Sequence, residues 1–137
     1  MQPTQDAAGA LVSWSRSPDA DAAQARFRFA GSLPVFAGHF PGRPLVPGVY
    51  LLATVIHLTG LAQPNRAERG LGAGADAAGT ALALQAVERA KWSAPAYPDQ
   101  DLQVSITWTR GLGTIIVDGT VALGGVTCTA CRVVLRT

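Results

Sequence analysis

The chain is short of several things, and each shortage excludes something. Its 137 residues include two cysteines and one methionine, too few sulfurs for a disulfide-stapled scaffold. Charged residues make up 15% and the net charge is +2, too weak a field to recruit nucleic acid. Ten of the eleven basic residues are arginine, scattered with no basic arm. The longest apolar run falls between Gly48 and Gly60, well short of the ~20 residues a membrane helix needs. The opening MQPTQDAAGA has neither the basic start nor the apolar core of a secretory leader. These shortages predict a soluble, cytoplasmic protein with no nucleic-acid or membrane partner, no metal and no cofactor.

The two cysteines, Cys128 and Cys131, form a C-x-x-C inside GVTCTACRVVLR, which alternates like a strand. Residues three apart on a strand point to opposite faces, so the thiols neither pair nor chelate easily. They read as ordinary strand residues.

What is present is apolar: 48% of residues are hydrophobic, enough to bury a core in one domain over 1–137, with the first ten residues loose. ALVSWS and QARFRFAG read as short strands around a turn at SPDAD. SLPVFAGHFPGRPLVPG reads as loop throughout, because Pro34, Pro41, Pro44 and Pro47 oppose both helix and ladder. Pro47-Gly48 then opens a helix over about 48–61, apolar on nearly every face and therefore buried. AQPNRAERGLGAGADAAGT is rich in small and turn residues and reads as a flexible surface connection. Its G-x-G-x-x-A at Gly72 to Ala77 has no strand leading into it, so a dinucleotide site is not supported.

The C-terminal half reads as strand. ALALQAVERAKWSA leads to a turn at PAYPDQD, and LQVSITWT then sets Leu102, Val104, Ile106 and Trp108 against polar alternates. GTIIVDGTVAL and GVTCTACRVVLR complete an antiparallel meander with glycine turns. One buried helix beside antiparallel strands is an α+β layout.

Chemistry concentrates in FAGHFPGRPLVPGVYLLATVIH, residues 36–57. His39 stands in a loop stiffened by Gly38 before it and Phe40-Pro41 after it. Such preorganisation suits a general base, and it equally suits a histidine capping a stiff turn. Gly48 lies at a helix start, where unpaired N–H groups can polarise a carbonyl oxygen and a missing Cβ admits a close ligand.

GHFPGRPLVPGV resembles the signature of the FabA/FabZ-type 3-hydroxyacyl-(acyl carrier protein) dehydratases, and KWSAPAYPDQDL resembles the family's K-F-x-x-P-V-x-P-G-D-x-L stretch. The likeness runs over roughly residues 24–136. It implies a hot-dog fold, with an antiparallel sheet wrapped around a central helix, and a dimer with sites at its interface. It assigns His39 as the base that removes the proton α to a thioester carbonyl, and the Gly48 N–H to that carbonyl. Phe40, Val49, Tyr50, Ala53 and His57 are the expected substrate-lining residues. The implied partner is an acidic acyl carrier protein, for which arginines such as Arg43 suit docking.

One position departs from the pattern. The family's helix Glu or Asp, which handles the departing hydroxyl from the opposite subunit, falls at Ala53. No carboxylate occurs from Arg43 to Ala67. Tyr50 and His57 share the helical stripe of position 53. His57 could act as the acid if its pKa stays near neutral, or sit hydrogen-bonded in the helix packing. The resemblance therefore leads to a dehydratase converting a carrier-bound 3-hydroxyacyl thioester into its trans-2-enoyl product, in fatty-acid or polyene synthesis. The alternatives are an impaired subunit of a heterodimer with another hot-dog protein, or an acyl-binding protein or thioesterase. Hot-dog thioesterases also rely on a carboxylate, so the same gap counts against the last.

Overall fold

The structure is a computed structural model describing residues 1–38, 44–63 and 82–137. In chain order it has helix α1 (Pro3–Ala10), strands β1 (Leu11–Arg16) and β2 (Ala22–Phe27), a short helix α2 (Val35–Gly38) and the long helix α3 (Gly48–Ala62). Strands β3 (Ala83–Trp92), β4 (Leu102–Arg110), β5 (Thr114–Leu123) and β6 (Val126–Arg136) complete the order. All the strands join one antiparallel sheet in the order β1-β2-β4-β5-β6-β3. Helix α3 lies across one face, touching β2, β4, β5 and β6, which is the α+β hot-dog arrangement.

The period-2 patterning explains which face is covered. On β4, Leu102, Val104, Ile106 and Trp108 are buried, while Gln103, Ser105 and Thr107 face outward. On β5, Ile115, Val117 and Val121 point the same way, with Gly119 between them. A Cβ on Gly119 would sit 2.8 Å from Val55 of α3, so this glycine sets how closely helix and sheet approach. Phe27, Tyr50, Leu51, Val55 and Leu58 complete the interior.

Turn chemistry fixes the register. Leu123 pairs with Val126 across Gly124 and Gly125, both at positive φ (58° and 84°), the two-residue hairpin that glycine favours. Asp99 also has positive φ, 62°, at the place where the resembling stretch carries glycine. Its carboxylate accepts the Gly31 N–H at 3.0 Å, and its own N–H donates to the Phe29 carbonyl at 2.7 Å.

Two expectations need correction. Residues 3–10 are helical rather than loose: Ala7 and Ala10 are buried, and α1 packs on α3. The segment read as loop throughout contains the helical turn α2, because Pro34 supplies a carbonyl to the Ala37 N–H without needing to donate. The long helix runs Gly48–Ala62, in keeping with the expected span of about 48–61. The connection read as flexible, with its Gly72 to Ala77 pattern, lies almost wholly outside the described residues.

Candidate functional site

His39, Phe40 and Arg43 lie outside the described residues, so the geometry of the site is that of the segment from Pro44 onward. The chain reaches α3 through Pro44–Pro47, pinned where the Val46 N–H donates to the Ala96 carbonyl at 2.8 Å. That bond joins the two motif segments, GHFPGRPLVPG and KWSAPAYP, side by side. Between them opens a cleft of about 740 Å³ lined by Pro44, Leu45, Pro95, Tyr97 and Pro98.

Helix α3 begins abruptly. Pro47 is its N-cap, extended at φ −60° and ψ 148°, and among the described residues no side chain caps the turn. The Tyr50 and Leu51 N–H groups both turn back to the Pro47 carbonyl, at 2.9 and 3.4 Å. The N–H groups of Gly48 and Val49 have no acceptor within the helix, and among the described residues none is recorded for them at this positive end of the dipole. The Trp92 indole lies against Gly48, and any Cβ there would meet it at 2.5 Å.

From this end, Val49, Leu52, Ala53 and Ile56 succeed one another at helical spacing. Val49 is 45% exposed, Leu52 and Ile56 are half-buried, and Ala53 is 8% exposed. The stripe is apolar throughout, and position 53 offers only a methyl group.

Two further residues expected to line the substrate lie on the same helix. Tyr50 is fully buried, its ring tilted against Phe29 at 5.4 Å, and its hydroxyl is hydrogen-bonded to the Asp6 carboxylate of α1. Burial and that bond push its pKa above the ordinary tyrosine value. In this chain Tyr50 anchors the N-terminal helix, a role that the i−3 spacing concealed. His57 is half-buried, with its ring edge-on to Phe27 at 6.3 Å. Burial lowers its pKa below 6.5, so it is mostly uncharged at neutral pH and a poor proton source.

The cysteines are buried and free, and burial raises both thiol pKa values. Neither is a nucleophile at neutral pH. Among the described residues no group of three or more His, Cys, Asp or Glu side chains is arranged to hold a metal, and no helix is long and apolar enough to cross a membrane.

The residue that reading the sequence passed over is Trp92. Its signal was present: the resembling stretch has Phe after its Lys, and here that residue is Trp.

Known proteins agree with this architecture. Residues 15–120 match the family model for ApeI-like proteins, described as ApeI dehydratase. The 3-hydroxyacyl-(acyl-carrier-protein) dehydratase FabZ of Sulfurimonas denitrificans is 33% identical over 90 residues, which are 62% of this chain and 56% of that protein. The FabZ of an Anaeromyxobacter species is 34% identical over 93 residues, 63% of this chain and 56% of its own length. The match thus spans just over half the length of these relatives. Among solved structures, the dehydratase heterocomplex ApeI:P from Xenorhabdus doucetiae superposes with a TM-score of 0.64 at 22% identity, over 93% of this chain and 96% of that one. The Escherichia coli PaaI protein from the phenylacetic acid degradation operon gives 0.60 at 15% identity, over 98% and 87%. The matched span covers most of the chain, both motif segments and the helix between them, and the chain belongs to the ApeI-like dehydratase family.

Proposed function

We propose that the chain removes water from a carrier-bound 3-hydroxyacyl thioester, giving the trans-2-enoyl thioester. The observation that carries this reading is the start of α3 at Gly48, nine residues after His39 in the sequence and beside the second motif segment. In the proposed step the thioester carbonyl accepts from the Gly48 N–H. His39 takes the Cα proton, the C–H electron pair becomes the new double bond, and the Cβ–O bond breaks. The hydroxyl leaves as water once it gains a proton. The apolar stripe of Val49 and Ala53, with His57 beside it, lies along the acyl chain, and Phe40 adds to its wall.

Ala53 cannot supply that proton, and general acid help is worth roughly 10²–10⁴-fold. We therefore place the chain in a two-subunit hot-dog assembly in which a partner's helix presents a carboxylate to His39. Strand β3 supports this. Its one described partner strand is β6, and it leaves Leu84 and Val87 48% and 43% exposed. A second hot-dog protein could pair along that edge. The solved neighbour from Xenorhabdus doucetiae is itself a heterocomplex.

The test is water elimination from 3-hydroxyacyl-carrier substrates of graded chain length, by the chain alone and with the hot-dog protein that co-purifies with it. The expected result is elimination in the mixture that His39→Ala abolishes. Substrates untouched at every length under both conditions overturn the reading.

A further inference from the structure

Resting on the dehydratase reading, we infer that Trp92 is a second hydrogen-bond donor for the substrate carbonyl, its indole N–H working beside the backbone N–H of Gly48. Trp92 ends the edge strand β3, and its ring reaches over the first turn of α3. A Cβ built on Gly48 would lie 2.5 Å from Nε1, 2.7 Å from Cε2 and 3.0 Å from Cζ2. The nitrogen-bearing edge of the indole is thus its nearest part to the helix start. Trp92 is also 51% exposed, so its ring is not there to fill the core.

The backbone around it is fixed. The Thr129 hydroxyl donates to the Lys91 carbonyl at 2.8 Å, and the Ser93 N–H donates to the Cys128 carbonyl at 2.8 Å. Glycine at 48 is what allows the ring to come so close. Any side chain there would drive the indole away from the N–H groups of the turn.

The chemistry favours a donor at this point. As the Cα proton leaves, negative charge grows on the thioester oxygen, and donors already in place stabilise it without reorganising. The indole N–H only donates and does not ionise, so it acts at any working pH. Phenylalanine, found at the matching place in the resembling stretch, presents no donor.

The test is titration of the full-length protein, in the oligomer in which it purifies, with amide analogues of 3-hydroxybutanoyl- and 3-hydroxydecanoyl-pantetheine. Binding is tracked through the indole and backbone N–H resonances. The Trp92 indole signal is identified as the one missing from Trp92→Phe, a variant that keeps an aromatic ring at this surface position. That signal should move downfield on binding, and Trp92→Phe should bind about five-fold more weakly, as loss of one hydrogen bond predicts. If the Gly48 amide responds but Trp92→Phe binds as tightly as the parent, the inference is wrong and the dehydratase reading stands. If neither the Gly48 amide nor the indole responds to either probe, both are wrong.

Discussion

The first turn of α3 and its middle share one helix, and they are built to opposite ends. The first turn has glycine, a proline N-cap without a side-chain hydrogen bond, and an indole edge laid against it. The middle has the buried Ala53, Val55 wedged against Gly119, and a histidine whose pKa is lowered by burial. On the proposed reading the first turn offers N–H groups to a carbonyl; the middle holds the helix to the sheet, and position 53 carries only a methyl group. In a hot-dog protein these two jobs can be divided between chains. A helix that loses its acid therefore still specifies half of a site.

That contrast can be broken at several points. The largest effect is expected from Ala53→Asp, which restores a carboxylate to the middle turn. Water elimination by the chain without a partner should rise by roughly 10²–10⁴-fold, measured as the appearance of the enoyl product. An unchanged rate would mean that the middle of the helix does not limit the reaction. Gly119→Ala forces a methyl against Val55 in the packed interior, where little can shift. It should cost about 1–3 kcal/mol in chemical denaturation while leaving the first turn intact.

Tyr50→Phe removes only the hydroxyl that holds Asp6. Loss of about 1 kcal/mol is expected, with faster amide exchange confined to α1. The smallest effect concerns His57, whose pKa is depressed in the folded state. Above the unfolded value of about 6.5 both states are neutral and nothing is lost. As the pH falls below it, the unfolded chain takes the proton first and stability declines. His57→Gln should therefore match the parent at pH 8 and gain on it toward pH 5.5 in thermal melts.

Much of the fold was legible because patterning and packing agree. The alternation of Leu102, Val104, Ile106 and Trp108 names the buried face of β4, and the greasy stretch from Gly48 names the central helix. Helix α1 was not legible, because PTQDAAGA has no amphipathic stripe; it is held by Tyr50 and by the burial of two alanines, which only the tertiary structure supplies. The same is true within the site. That Gly48 opens the helix and that position 53 carries only a methyl group can be read along the chain, since each is a matter of position. Tyr50 could not be placed, because helical spacing puts it near Ala53 and cannot say which neighbour claims its hydroxyl. Trp92 required β3 and α3 to be brought together, 44 residues apart in sequence.

The division of labour along α3 is tested most directly by complementation between two variants of this chain. A His39→Ala, Ala53→Asp double variant offers an acid and no base, whereas the parent offers a base and no acid. Co-expressed and isolated as a mixed dimer, the pair should eliminate water from a 3-hydroxyacyl-carrier thioester far faster than the two proteins assayed separately. A mixed dimer no faster than the sum of its parts, alongside an active Ala53→Asp homodimer, would contradict a site shared across two chains.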